Sequence, residues 1–164
     1  MRGLFPFCAK ATITMTTHPI RPFPDDAAVR AVGEGLLART LPKAEWTHEA
    51  HLAAMLWLLR ERPDFAPEAE LPATISGYNL AVGGENTDSA GYHETLTQLY
   101  IRGVRAFAAT LPADVALVTA VNALLASEIG PRDWPLCFYS RERLFSVEAR
   151  RGWVEPDLVA IPDA

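Results

Sequence analysis

Trp46-Thr47-His48-Glu49-Ala50-His51-Leu52-Ala53-Ala54-Met55-Leu56-Trp57-Leu58-Leu59-Arg60-Glu61-Arg62-Pro63 decides the fold class of this chain. The run predicts a helix starting near Lys43 to Thr47 and reaching Arg62, where Pro63 stops it. Trp57 and Ala53 lie opposite Met55 and Leu58, so the helix is apolar nearly all round. A helix of that kind must be enclosed, either by neighbouring helices or by a partner chain.

The flanking sequence supplies the neighbours. Asp25 and Asp26 open a helix over about residues 26 to 40, weakened by Gly33 and Gly35 and ended by Pro42. A third begins after Pro67, with Glu68 and Glu70 in its first turn, and stops at Gly83-Gly84. A fourth covers about Gly91 to Thr110, and a fifth about Ala113 to Ser127 with Leu117, Val121, Leu124 and Leu125 on one side. Ser140 caps a short sixth reaching about Arg151, and the tail from Gly152 runs over the surface. No segment alternates as a half-buried strand does, so the expectation is an all-α bundle of five or six helices in a single domain.

The chain has 164 residues, 49% of them hydrophobic, enough for one domain with a real core. Residues 1 to 24, rich in proline, read as a flexible leader ahead of a helical domain over 25 to 164, or translation begins at Met15. His18 falls in that leader and is set aside. With 15 basic and 20 acidic residues the net charge is −5, which argues against nucleic acid and anionic membrane as partners. There is no apolar run long enough for a transmembrane helix, and Pro6 and Lys10 spoil a signal peptide. Cys8 and Cys137 have no metal or redox spacing, and two thiols without a framework suit a reducing cytoplasm.

Chemistry concentrates in two histidine segments. With Glu45 at zero and 100° per residue, His48 falls at about 300° and His51 at about 240°, beside an apolar stripe of roughly 280° to 20°. Glu45, His48 and His51 then form an i, i+3 ladder. In Gly91-Tyr92-His93-Glu94-Thr95-Leu96-Thr97, His93 and Thr97 lie on or next to the inward face, whereas Glu94 turns to Gln98, Arg102 and Arg105. Glu94 reads as a favourable first-turn charge.

A helix N-terminus disfavours imidazolium, and neutral imidazole binds metals and accepts protons. His48, His51 and His93, with Glu45, are therefore the candidate ligands of one divalent ion (Zn, Ni, Fe or Mn), and His48 and His93 the candidate acid–base groups of a metal-free pocket. The spacing of His48 and His51 is one short of the His-Glu-x-x-His protease pattern. The alternative is that His48 and His93 are hydrogen-bonded within the core and His51 is simply exposed.

If residues 138 to 150 are helical, Arg141 and Glu148 share the side of Leu144 and Phe145. Tyr139 and Arg141 are then candidates to hold a carboxylate or phosphate, the alternative being a salt bridge that ties the last helix down. Asn79 is a lesser candidate at the edge of the third helix's stripe. Phosphate loops, the nucleophile elbow, Cys-x-x-Cys and the dinucleotide fingerprint are all absent from the sequence.

The strings Trp46 to Leu52, Gly91 to Thr97, and Tyr139-Ser140-Arg141 with Leu144-Phe145-Ser146 and Ala149-Arg150 resemble a family of small, uncharacterised bacterial helical proteins with WTHxAHL and GYHETxT motifs. The likeness covers most of residues 30 to 160 and implies no reaction. A bundle with three inward histidines is also similar, more distantly, to the DinB-like metal-binding proteins, an analogy of architecture from which this histidine spacing departs. The leading expectation is a small cytoplasmic protein whose polar, histidine-lined pocket, with or without a divalent metal, binds or transforms a small molecule, an anion among the candidates. Whether it is an enzyme is left open. The contrasting expectation is a non-catalytic ligand-binding or homodimerisation module with structural histidines, Trp57 lying in a subunit interface.

Overall fold

A computed structural model describes residues 19 to 162; His18, Cys8 and most of the expected leader lie outside the described residues. The described residues form an all-helical single domain without strands: α1 (Asp26–Ala38), α2 (His48–Glu61), α3 (Pro67–Ala81), α4 (Glu94–Ala108), α5 (Leu117–Leu125), α6 (Arg141–Leu144) and α7 (Val147–Arg151). None is long and apolar enough to cross a membrane.

The apolar run quoted first occupies the middle of the bundle. Every residue from Leu52 to Leu58 is buried, and α2 packs against α1, α3, α4 and α5. Its enclosure comes from this chain. Trp57 is 3% exposed and lies across Gly33 of α1, where a Cβ would stand 2.0 Å from its ring, so glycine is what lets the two helices close. The indole N–H donates to Glu61 (3.1 Å), and Glu61 is paired with Arg30 of α1 (2.8 Å). Trp57 therefore belongs to the α1–α2 junction, not to a subunit interface.

Caps set the boundaries. Asp25 accepts from the Ala28 N–H (2.8 Å) ahead of α1. Thr47 accepts from the Ala50 N–H (3.3 Å), so α2 starts at His48, preceded by a 3₁₀ turn over Lys43–Glu45. Pro67 occupies the first turn of α3 and Pro72 its interior. Pro72 has no N–H to give the Glu68 carbonyl four residues back, and the Gln98 side chain of α4 supplies that donor instead (3.1 Å).

The expected sixth helix is two short ones. Ser140 caps α6 by accepting from the Arg143 N–H (3.1 Å), as expected, but Ser146 caps a second start by accepting from Ala149 (3.2 Å). The break at Phe145 rotates the second half, so Arg141 and Glu148 are both exposed instead of sharing a buried face. The tail is pinned: buried Thr95 donates to the Gly152 carbonyl (2.8 Å) and accepts from the Val154 N–H (3.2 Å). Upstream of α1, Phe23 exchanges two backbone bonds with the Asn122 side chain of α5 (2.9 and 3.0 Å). Cys137 is disulfide-bonded, which removes the free-thiol argument for a reducing compartment.

Candidate ligand-binding cavity

A cavity of about 550 Å³ opens between α2, α3 and α4, with Phe145 and Arg132 also in its lining. Leu52, Met55, Leu58, Leu71, Ile75 and Leu96 make it mainly apolar. His48, His51 and His93 all border it, as do Tyr92, Thr97 and Tyr100. Arg132, itself exposed, is the one charged side chain among these lining residues.

Each histidine is committed to backbone. His48, at the first position of α2, donates through Nε2 to the Gly130 carbonyl (2.7 Å), tying α2 to the connection after α5. His51 donates through Nδ1 to the Thr47 carbonyl (2.6 Å), and its ring lies 3.8 Å from that of Trp46. His93 is the N-cap of α4: Nδ1 accepts from the Leu96 N–H (3.3 Å) and Nε2 donates to the Leu144 carbonyl (2.9 Å). A carbonyl only accepts, so these bonds identify the protonated nitrogen of each ring.

Burial sets the charge state. Desolvation holds His48 and His93 below the ordinary imidazole range, outweighing the bonds to Gly130 and Leu144 that favour the cation. His51 is pushed down to about 4 by desolvation, with the positive charge of Arg132 acting in the same direction. At neutral pH the three rings are uncharged.

The metal expectation is corrected by this geometry. Among the described residues no group of three or more His, Cys, Asp or Glu side chains is placed to hold a metal ion. His93 has both ring nitrogens engaged. Glu45 lies outside α2, because the Thr47 cap starts the helix three residues after it, and it is exposed beside a separate groove with Pro22, Pro42 and Glu49. The Glu45–His48–His51 ladder therefore does not form, and there is no histidine cluster of the expected kind among the described residues.

Tyr139 and Arg141 are not among the residues lining this cavity. Tyr139 is fully buried, donates to the Val154 carbonyl (2.9 Å) and is pushed up to about 12 by burial. Arg141 stands on the surface, 5.4 Å from the centre of the Phe145 ring. Glu94 behaves as expected, a first-turn charge that accepts from Gln98 (2.9 Å), and it also accepts from the Tyr92 hydroxyl (2.5 Å).

Trp46, Tyr100 and Arg132 line the cavity, although nothing in their sequence context gave them a role. Tyr100 is visible on the inward face of α4, and its ring meets that of His48 edge-on at 5.9 Å. Trp46 and Arg132 lie outside the helices, where helical periodicity carries no signal.

The loop before α4 is built around Asn86. Its Oδ1 accepts from Asn79 Nδ2 (2.9 Å) and the Tyr92 N–H (3.0 Å), and its Nδ2 donates to the Ser76 carbonyl (2.9 Å). Gly91, at φ 78°, completes the turn where a Cβ would stand 1.9 Å from the Glu85 carbonyl oxygen. Asn86→Ala is expected to lower unfolding free energy by about 1 kcal/mol, because three partners lose a bond near solvent. Proteolysis within residues 85 to 91 should accelerate with it, and an unchanged cleavage rate would mean that the loop is held by other contacts.

No family model, no curated protein and no solved structure matches the chain, so the resemblances read from its motifs bring no function with them, and the cavity's own geometry carries the functional reading.

Proposed function

We propose that this chain is a non-catalytic ligand-binding module whose cavity takes a small, mainly apolar molecule and whose histidines are structural. The observation that carries this reading is the cavity of about 550 Å³, apolar in most of its wall and without a carboxylate among its described lining residues. Such a site is in the size range of small-molecule pockets, where apolar walls supply affinity and a few polar atoms fix orientation. The histidine bonds to Gly130, Thr47 and Leu144 support the structural role, since each joins a ring to backbone and two of them link separate elements. Trp57 is buried within the chain, so the feature that favoured dimerisation does not support it.

6-Propionyl-2-(dimethylamino)naphthalene, a neutral naphthylamine fluorophore without an N–H or O–H that brightens in apolar surroundings, tests the reading. One saturable site is expected, and Ile75→Trp, which fills the cavity from half-buried Ile75 on α3, should weaken binding at least tenfold while shifting the melting temperature by only a few degrees. No saturable binding to the natural chain, or undiminished binding to a folded Ile75→Trp, overturns it.

A further inference from the structure

We infer that the cavity selects a small neutral ring compound carrying an O–H or N–H donor, which the ring nitrogen His48 Nδ1 or His51 Nε2 receives. This rests on the ligand-binding reading and names the class of molecule that site would take.

The bonds from His48 Nε2 to Gly130 (2.7 Å) and from His51 Nδ1 to Thr47 (2.6 Å) place the ring protons on those two atoms. The opposite nitrogen of each neutral ring is then a lone-pair acceptor. Neither His48 Nδ1 nor His51 Nε2 has a hydrogen-bond partner among the described residues. The two rings stand three residues apart on α2, where side chains are neighbours, and both border the same cavity.

The rest of the lining sharpens the choice. Several of its donors are already used: Thr97 gives its hydroxyl proton to the His93 carbonyl (2.9 Å), Tyr92 to Glu94 (2.5 Å), and Asn79 its amide to Asn86 (2.9 Å). Among the described residues, the Tyr100 hydroxyl and the Trp46 indole N–H have no acceptor. A cationic ligand would lose its hydration with no carboxylate among the described lining residues to replace it, and an anion would face two lone pairs while the one cation among them, Arg132, is exposed to solvent. A neutral donor meets either nitrogen without that cost. The aromatic rings of Trp46, Tyr92 and Tyr100 in the same wall suit a flat molecule.

Three probes of one shape separate the possibilities: 4-ethylphenol, which donates, 4-ethylanisole, whose donor is methylated, and 4-ethylbenzoate as the anion. By calorimetry at pH 7.5 the phenol is expected to bind at least tenfold more tightly than either of the others. In long-range proton–nitrogen spectra the phenol should move His48 Nδ1 or His51 Nε2 and leave both His93 nitrogens in place. In His51→Phe the phenol's advantage over the anisole should shrink severalfold. Should that variant not fold, the nitrogen shifts of the natural chain decide. Equal affinities for phenol and anisole, preference for benzoate, phenol binding without movement of either bare nitrogen, or binding of the naphthylamine without binding of the phenol overturns the inference and leaves the ligand-binding reading standing. Binding of neither the naphthylamine nor any of the three overturns that reading, and the inference with it.

Discussion

Trp57→Ala is expected to lower the unfolding free energy by about 4 kcal/mol, in the range for removing a large buried aromatic from a core. Trp57 is 3% exposed and fills the space that Gly33 leaves open on α1, so its loss leaves a void lined by two helices with no side chain at Gly33 to close it. The hydrogen bond to Glu61 goes as well, although Glu61 keeps Arg30. For a chain of this length the melting temperature should fall by roughly 10 °C. Trp57→Phe keeps most of the filling and should lose less than half as much. The loss should be the same at every protein concentration, because the ring packs inside the chain. A loss that grows on dilution would return Trp57 to a subunit interface. Urea unfolding monitored by far-ultraviolet dichroism at two concentrations tests both points.

The same residue illustrates what periodicity shows. Leu52 to Leu58 is a continuous apolar run, and its enclosure is a matter of counting apolar faces, so the central helix and the all-α class were legible. Which surface encloses it was not, because that depends on Gly33 meeting Trp57, two residues 24 positions apart that no local pattern connects. Glu94 was legible for the opposite reason: its partner Gln98 is one turn away on the same helix.

Of the candidate site residues the three histidines were legible as neighbours of one cavity, whereas Glu45, Tyr139 and Arg141 lie outside its lining. His48, His51 and His93 do border one cavity, yet helical rotation treated Glu45 and His93 as parts of regular helices. Thr47 had the composition of a cap and stood directly before the first histidine, a signal that would have put Glu45 outside α2. His93 caps α4 through its own ring, a role that a survey for Ser, Thr, Asp and Asn does not find. Ser146 had cap chemistry too, but Leu144 and Phe145 just before it extended the stripe across the break. Arg141 and Glu148 were placed by that extension.

Acid should unfold this protein early. His51 is held at about 4, against an ordinary value of 6.5, by desolvation. Its folded-state pKa lies below the unfolded one, so between pH 6.5 and about 4 the unfolded chain binds the proton that the folded chain refuses. Stability is therefore fully present above about pH 6.5, falls as pH drops through this window and levels off below the folded value. At about 1.4 kcal/mol per pH unit the loss from His51 is on the order of 3 kcal/mol. His48 and His93 are displaced the same way by burial and add to it. His93 contributes a structural effect as well: a proton on Nδ1 removes the acceptor that caps the Leu96 N–H at the start of α4. The carboxylates act at lower pH. Glu61 is held down by its bond to Arg30, and Asp157 by its bonds to Ser140. Their stabilisation is present above the ordinary carboxylate range and is lost as pH falls through their lowered values. Urea midpoints at about pH 7.5, 6.5, 5.5 and 4.5 should fall most steeply below about 6.5, before the carboxylates titrate. Replacing His51 with Phe, which cannot titrate, should flatten the profile over that interval. A midpoint constant across the whole range in the natural chain would mean that the imidazoles are solvated rather than held neutral against the cavity wall.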